Sequence, residues 1–377
     1  MTDRRRRLWL GLGALAVAGG VRWWRGQAVD APSGVAAVLR DNERNAGFAR
    51  VEGPRAFEFP RDHAAHPAFR HEWWYVTGHL RGDEAREFGF QMTFFRYALT
   101  PRAIESPSRW RARDLVLAHF AVTDVAGQRF HHATRRARAA LGLAGADEAK
   151  PCLWLKDWQL ALTDADAGRW RFTAATAHAA LTLTLIPTKP LVLQGDAGYS
   201  RKSDAPGNAS HYYSLPRLAA SGELTLNHAT QAVTGTAWFD REWGTSALGD
   251  GQSGWDWFAL QFDDGRELTF YRLRRLDGSP DPHSRGLLIA ADGSAQPLAA
   301  SDVVMTPVRW WRSPRTRIRY PVAWRVEVPR AQLNLTLQSR LDAQEWTGDL
   351  RYWEGQVEVR DGNTRLGLGY LEMTGYE

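Results

Sequence analysis

The segment with the most chemical potential is "GTAWFDREWG", residues 235–244, in which Asp240, Arg241 and Glu242 lie within an aromatic run. Successive side chains of a β-strand point to opposite faces, so Asp240 and Glu242 share one face and Arg241 lies on the other. If the carboxyl face borders an apolar cavity, burial and mutual repulsion raise a carboxyl pKa, and such a group can donate a proton near neutral pH. The alternative is a solvated strand end with surface ion pairs. These residues alone leave both interpretations open.

Histidines could also line the same site. His71 and His79 are an even number of residues apart and would share a strand face, with His119 across from them. A metal site needs three or four convergent ligands, and the chain has no HxH, HExxH or CxxC motif. We therefore expect buried, surface or hydrogen-bonding histidines, and no metal or organic cofactor.

A second polar and aromatic group lies in "HYYSLPR", residues 211–217, after a loop that begins at Arg201. Tyr212, Tyr213 and Arg217 could orient the polar group of a mostly apolar ligand. They could equally cover the end of a barrel, and the sequence leaves this alternative open.

The elements that must position these residues are strands. The chain has 18 Trp, 15 Phe and 10 Tyr among 377 residues, and aromatic residues favour strands and line apolar ligand sites. From residue 57 onward, twelve short aromatic or β-branched runs alternate with Gly, Asp, Asn and Pro. No long segment has a helical period. The pattern predicts an all-β, antiparallel protein.

Two similar segments indicate an internal duplication. Residues 73–96 and residues 255–274 each contain a Trp-led strand, a Gly/Asp-rich turn, and a strand that ends in aromatic residues and arginine. We predict two tandem barrels, over residues 45–220 and 221–377. Each half has the size of a small barrel that can hold one ligand.

Charge and the N-terminal segment bear on location. The net charge is +6 and the pI is near 9.6, but the chain has no nucleic-acid-binding motif. The basic segment "RWWRSPRTRIRY", residues 309–320, is predicted to be a solvated loop.

Residues 1–29 join an arginine run to a short apolar stretch, which predicts a signal peptide or an N-terminal anchor and therefore export to the periplasm. The single cysteine, Cys152, excludes an intramolecular disulfide.

Several motifs occur together and in order: "HEWWYVTGHL", "GFQMTFFR", "LAHFAVTD", "YYSLPRL", "WFDREWG" and "GWDWFALQFDDGRELTFYRLR". In combination they resemble the carotenoid 1,2-hydratase (hydroxyneurosporene synthase) family and its exported lipocalin-like relatives, which are labelled predicted secreted hydrolases. The resemblance implies two lipocalin-like β-barrel domains. Arg241 and Glu242 replace the His of many relatives and the Asn of the hydratases, which places the chain nearer the exported group.

The resemblance also implies a mechanism, which adds to the site residues proposed above. Asp240 would protonate a carbon–carbon double bond, aromatic faces would stabilise the carbocation, and water would add. Glu242 is the second catalytic candidate. The candidate ligand-binding residues are Trp73, Trp74, His79, His119, Tyr212, Tyr213, Arg217, Trp238, Trp243, Trp255 and Trp257.

Three functions follow as expectations. The first is an exported protein that binds an isoprenoid or lipid-like ligand and hydrates it. The second is a non-catalytic carrier that works with components of an envelope transporter. The third is a secreted hydrolase, although the chain has no GxSxG motif. Nucleic acid is not an expected partner, and membrane contact is expected only through an uncleaved N-terminal segment.

Overall fold

The computed structural model describes residues 45–102, 105, 107–348 and 350–377, so the predicted leader (residues 1–29) lies outside the described residues. Strands dominate this part of the chain. The strands of the first sheet are β1 (His71–Arg81), β2 (Glu87–Ala98), β3 (Asp114–Asp124), β4 (Arg129–Arg138), β5 (Ala144–Ala146), β6 (Cys152–Leu155), β7 (Trp158–Asp164), β8 (Arg169–Ala175), β9 (Ala179–Pro187), β10 (Val192–Leu193), β11 (Tyr199–Arg201), β12 (Ala209–Leu226) and β13 (Ala229–Gly244).

The second sheet follows in the chain. Its strands are β14 (Gln252–Phe262), β15 (Glu267–Arg275), β16 (Arg285–Ile289), β17 (Ala295–Ala299), β18 (Val304–Arg312), β19 (Arg319–Val328), β20 (Leu333–Ser339), β21 (Glu345–Thr347), β22 (Arg351–Asp361) and β23 (Thr364–Thr374). Single 3-10 turns lie at Arg61–His63, Asp83–Ala85, Ala300–Asp302 and Pro329–Ala331. None of the helices in the described part of the chain has the length and apolarity needed to cross a bilayer.

Each sheet is antiparallel and curls around its own core. The first follows the order β4-β3-β2-β1-β13-β12-β9-β8-β7-β6-β5, with β10 and β11 paired to β12. The second follows β17-β16-β15-β14-β23-β22-β20-β19-β18, with β21 paired to β22. The predicted all-β fold of two tandem lipocalin-like antiparallel barrels is confirmed.

Strand periodicity explains how the cores form. In β9, Leu181, Leu183 and Leu185 are buried in the first core and alternate with threonines that are only partly buried. Strand β1 differs, because nearly every residue is buried. Its inner face, with Trp74, packs in the first core, and its outer face, with Tyr75, packs against the second sheet. Aromatic residues on both faces of one strand therefore indicate a strand between two apolar layers.

The division between the sheets differs from the predicted one. The prediction placed it at residue 220, which lies inside β12. Strands β12 and β13 form a hairpin that pairs with β9 on one side and β1 on the other. Its turn is at Asn227 and His228, which both adopt positive φ. The change of sheet therefore occurs between Gly244 and Gln252, and both long strands belong to the first unit.

The basic segment 309–320 was predicted to be a solvated loop, and this prediction was wrong. Arg309–Arg312 belong to β18 and Arg319–Tyr320 to β19, and the turn between them is held by hydrogen bonds from Ser313 and Thr316 to Glu345. Residues in β18 alternate between exposed and less exposed positions. The arginines masked this period of two, because the outer face of an edge strand need not be apolar.

The two similar segments form corresponding hairpins, β1–β2 and β14–β15, and both contribute to the contact between the sheets. Polar groups join the sheets beside them. Glu267 of β15 is buried and accepts hydrogen bonds from Arg217 at 2.5 Å and from Lys189 at 2.7 Å, both from the first unit. Gln261 of β14 donates to the backbone oxygens of Pro216 and Ala237 at 2.8 and 3.0 Å. The sheets therefore share a buried interface in which these polar atoms are paired.

Candidate functional site

A cavity lies between the two sheets, outside both barrel cores. Its volume is about 90 Å³, which is enough for several waters or the end of an apolar chain. Strands β1, β2, β12 and β13 form one wall, and β14, β15, β22 and β23 form the other. The barrel interiors are filled by side chains instead. An interface between units is a common place for a ligand site.

Strand β13 places Asp240 and Glu242 on the cavity wall, as the alternation predicts, and turns Phe239, Arg241 and Trp243 inward. The neighbouring strands supply the partners of Asp240. Ser214 of β12 lies opposite Asp240 in the register, and its hydroxyl donates to Oδ1 at 2.5 Å. The indole of Trp238 donates to the same oxygen at 2.7 Å. Oδ1 therefore has two donors.

The other oxygen, Oδ2, accepts a hydrogen bond from the Tyr212 hydroxyl at 2.8 Å, and Tyr212 in turn accepts one from the Trp257 indole at 3.3 Å. Gln194 donates to the Ser214 hydroxyl at 2.9 Å, which leaves the hydrogen of Ser214 for Asp240. Since Oδ1 is occupied by two donors, Oδ2 is the oxygen that can hold a proton.

The environment of Asp240 keeps that proton near neutral pH. Asp240 is 3% exposed, and burial raises its pKa to about 7, although the hydrogen bonds from Ser214, Tyr212 and Trp238 lower it and nearby Glu242 raises it further. Among the described residues, no arginine, lysine or histidine forms an ion pair with it. The first interpretation of the opening segment, a buried acid at an apolar cavity, is the one that this geometry supports.

Glu242 has a different environment two residues away. Lys202 approaches it at 2.8 Å, and the Ser210 hydroxyl donates to it. The same ammonium donates to Ser200 at 2.9 Å and lies 4.6 Å from the centre of the Tyr271 ring. Burial alone would lower the pKa of Lys202, but Glu242 raises it above its usual value. Glu242 and Lys202 therefore form an ion pair.

Two further carboxyls face the cavity from the second sheet, and sequence reasoning missed both. Glu354 of β22 accepts a hydrogen bond from Tyr75 at 2.6 Å and one from Gln91. Glu372 of β23 lies opposite it in the register and accepts one from the Trp255 indole at 2.8 Å. Burial raises the pKa of Glu372 to about 7 and that of Glu354 well above its usual range.

A signal for these residues was present in the sequence. "WEGQVEVR" and "LGLGYLEMTG" were recognised as strands, and each carries an acid within an apolar or aromatic run, as "WFDREWG" does. Lys202 had no such signal, because it lies in the polar stretch "SRKSD", which was assigned to a loop. The sequence did not show that these residues share one site, because only the packing of the two sheets brings Asp240 and Glu372 together.

Aromatic rings cover much of the remaining wall. Tyr75 and Trp257 meet edge to face, with ring centres 5.2 Å apart, and join the walls across the cavity. Trp73 and Trp255 are only partly buried and lie at equivalent positions of the two hairpins. The other aromatic lining residues are Phe95, Tyr97, Tyr212, Tyr271 and Tyr352.

The inner face of β13 is anchored by a separate charge cluster. Arg241 is fully buried, lies 3.7 Å from the centre of the Trp74 ring, and is paired with Glu72, which also binds Arg96. Burial of Glu72 would raise its pKa, but the two arginines hold it well below its usual range. Arg241 therefore has a structural partner on the side of the strand opposite the cavity.

The structure divides the candidate ligand-binding residues. Trp73, Tyr212, Trp255 and Trp257 line the cavity together with the catalytic candidates Asp240 and Glu242. Trp238 does not line the cavity itself, but its indole donates a hydrogen bond to Asp240. The prediction had also named Trp74, Tyr213 and Trp243, but these lie in the core of the first sheet. His79, His119 and Arg217 do not line the cavity either.

Each of those three residues has another partner between the sheets. The His79 ring is hydrogen bonded to Gln356 at 2.8 Å, His119 to the Tyr352 hydroxyl at 2.5 Å, and Arg217 binds Glu267. Burial lowers the pKa of both histidines to about 3. In the part of the chain that the structure describes, no three His, Cys, Asp or Glu side chains form a group that could hold a metal ion.

A family model described as AttH-like matches residues 50–376. An AttH-type protein of Nitrosomonas europaea, known from its crystal structure, is 36% identical, with 88% of this chain and 100% of that chain covered and a TM-score of 0.80. Kievitone hydratase from Nectria haematococca is 14% identical and shares the fold, with 88% and 97% covered and a TM-score of 0.66. No curated protein matches by sequence. The chain belongs to the AttH-like family.

Proposed function

We propose that the cavity between the sheets binds the unsaturated end of an isoprenoid or lipid-like molecule and that Asp240 catalyses hydration of its double bond. The observation that carries the proposal is a carboxyl with a pKa of about 7 on an aromatic wall, without an ion-pair partner among the described residues. A general acid works best when its pKa lies near the working pH. The resemblance to carotenoid 1,2-hydratases and the fold shared with kievitone hydratase support the same reaction class.

The reaction balances as an addition of water. The proton on Oδ2 of Asp240 moves to one carbon of the double bond, which leaves a tertiary carbocation on the other carbon and a carboxylate on Asp240. A water oxygen attacks the carbocation, and the proton that this water loses returns to Asp240. The product contains one more molecule of water than the substrate, and the acid is regenerated.

The cavity favours each step. The Trp255, Trp257 and Tyr75 rings border it, and a desolvated cation over an aromatic face gains about 2 kcal/mol or more. The new carboxylate keeps three hydrogen-bond donors, from Ser214, Trp238 and Tyr212, so its charge is partly compensated while the carbocation exists.

A carrier function is the second candidate. The small size of the cavity and its largely aromatic wall suit retention of an apolar group without chemistry. In that case the protein would deliver the ligand to an envelope transporter, and residues 1–29 would direct its export. The hydrolase alternative has less support, because the described cavity lining contains no serine, cysteine or histidine that could form a nucleophile–base pair.

Native mass spectrometry of the protein purified from its own host, followed by organic extraction, tests the shared part of the proposal. The expected result is a co-purifying apolar molecule in near-stoichiometric amount. An Asp240→Asn variant then separates the two functions, since an enzyme would lose turnover and keep its ligand, whereas a carrier would be nearly indifferent to the change. A protein that is empty and takes up no apolar dye would contradict both.

A further inference from the structure

Carboxyl groups outnumber basic side chains in the described lining of the cavity. Asp240, Glu242, Glu354 and Glu372 contribute four carboxyls, and Lys202 is the one basic residue in the described lining. The Lys202 ammonium is already paired with Glu242 at 2.8 Å. The other three carboxyls have only neutral hydrogen-bond donors among the described residues, namely tyrosine and serine hydroxyls, tryptophan indoles and one glutamine amide.

Several buried acids elsewhere in the described part of the chain form ion pairs with basic side chains. Glu72 is paired with two arginines, Asp256 with Arg272 and Arg274, and Glu267 with an arginine and a lysine. With 48 lysines and arginines, the chain has cations enough for its interior acids. Among the described residues, Glu345 is also buried with only hydroxyl donors, but the cavity is where three such acids lie together, so the compensating charge there must come from protons or from a ligand.

The arrangement of the three carboxyls makes the need for a compensating positive charge larger. Glu354 and Glu372 are direct cross-strand partners on β22 and β23, where two negative charges repel each other. Asp240 faces Glu372 closely enough to raise the pKa of Glu372 further. In addition, the side-chain oxygen of Gln91, whose amide nitrogen contacts Glu354, Tyr352 and Thr93, is buried and has no donor. The wall therefore offers acceptors in excess.

We propose that this cavity binds the positively charged end of an apolar organic molecule, an alkylammonium group held between aromatic faces and the carboxyls of Asp240, Glu354 and Glu372. Aromatic rings with nearby carboxylates are the general means of recognising organic ammonium ions. This inference rests on the proposed function, because an ammonium ion in this place resembles the carbocation of the hydration step.

Proton exchange gives the binding a defined pH dependence. The groups that face the ammonium are the four carboxyls, Lys202, and the hydroxyls of five tyrosines at positions 75, 97, 212, 271 and 352. The pKa values of Asp240 and Glu372 lie at about 7, so a bound cation favours their ionised forms and displaces protons. Ammonium affinity should therefore rise between about pH 6 and pH 8, while the affinity of a neutral analogue should not.

Three probes with one carbon skeleton test the proposal: geranylamine, geraniol and geranic acid, which carry positive, neutral and negative ends. Binding is followed at about pH 8 by calorimetry and by intrinsic tryptophan fluorescence, to which the cavity residues Trp73, Trp255 and Trp257 contribute. We expect geranylamine to bind about tenfold tighter than geraniol, with geranic acid the weakest. Each tenfold difference corresponds to about 1.4 kcal/mol.

Charge-neutral variants locate the effect. Glu372→Gln should weaken geranylamine about tenfold and leave geraniol within twofold. The matched control is Glu223→Gln, which removes the same charge from an exposed position of β12 and should change neither affinity.

The outcomes separate the two proposals. Equal affinity for amine and alcohol, or tightest binding of geranic acid, would overturn the cation site and leave an apolar ligand site intact. An amine preference that Glu372→Gln does not reduce would also overturn it. Failure of all three probes to bind would count against the proposed function as well.

Discussion

Asp240 owes its chemistry to its lack of an ion-pair partner among the residues that the structure describes. Its hydrogen-bond donors are all neutral, so burial dominates and the acid retains its proton, whereas Glu72, on the same pair of strands, is ionised by two arginines. The sequence predicted the face that Asp240 occupies, because strand alternation depends only on neighbouring residues. It could not predict the donors from Ser214 and Tyr212, because they belong to another strand.

The first prediction concerns stability and pH. The folded-state pKa of Asp240 is raised from 3.8 to about 7, so the folded protein holds a proton that the unfolded chain releases, and the contribution of Asp240 to stability is lost as the pH rises through this range. Asn cannot ionise. Between about pH 5 and pH 8, the unfolding free energy of Asp240→Asn should therefore rise relative to wild type, by roughly 2 to 3 kcal/mol.

Urea denaturation of both proteins at a series of pH values measures this difference. The exposed Glu223→Gln variant is the control and should parallel wild type. A difference between Asp240→Asn and wild type that is flat with pH would show that Asp240 is ionised in the folded protein, and the acid role would fail.

The second prediction concerns Tyr212, whose hydrogen bond lowers the pKa of Asp240. Tyr212→Phe should raise that pKa further and leave the Trp257 indole without its acceptor, at a cost of about 1 to 3 kcal/mol. The indole N–H resonance of Trp238, which contacts Asp240 at 2.7 Å, reports the titration. Tyr97→Phe alters the same cavity without touching Asp240 and should leave the titration unchanged. A Tyr212→Phe titration at or below the wild-type pH would contradict the assigned hydrogen bond.

Strand β13 has a different role on each of its two faces. Its outer face presents Asp240 and Glu242 to the cavity, and its inner face is fixed by Arg241 between Trp74 and Glu72. The sequence predicted this alternation, and it predicted the corresponding hairpins of the two units. It erred at β18, where arginine and proline on an edge strand concealed the period of two. It also assigned Trp74, Tyr213 and Trp243 to a ligand, because an aromatic residue does not reveal which layer it faces.

The third prediction tests the anchor of β13. Glu72→Gln leaves two buried guanidinium groups without their shared carboxylate, so it should destabilise the protein by about 3 to 5 kcal/mol. Thermal or denaturant unfolding measures the loss. Asp157→Asn breaks the exposed ion pair with Arg135 and should cost less than about 1 kcal/mol. Equal effects of the two substitutions would show that the Glu72 cluster does not anchor the strand.

At the scale of the whole molecule, the site exists only because two barrels pack together. The described cores of the two sheets are filled by side chains, and the cavity between the sheets takes its acids from both, with Asp240 on one and Glu354 and Glu372 on the other. Composition and duplication predicted the two units. Their contact could not be predicted, because it depends on which outer strand faces of the two sheets pack together, and the division at residue 220 would have split the first unit.

The fourth prediction concerns this packing. Glu267 of the second unit is buried between Arg217 and Lys189 of the first. Glu267→Gln should cost several kcal/mol and weaken the contact between the units, so the two-unit protein should unfold over a broader transition, or in two steps. Calorimetry of wild type and variant measures it. Unchanged unfolding would show that the ion triad does not hold the sheets together.

If Asp240 catalyses the addition of water to a ligand held between the sheets, the oxygen of the product must come from the solvent, and isotope incorporation measures this. The molecule extracted from the protein, in its unsaturated form, is incubated with wild type and with Asp240→Asn in water enriched in heavy oxygen, and the products are weighed by mass spectrometry. We expect one heavy oxygen in the wild-type product and none with the variant, although the variant still binds the molecule. Equal incorporation by both proteins, or none by either while both retain the ligand, would contradict it.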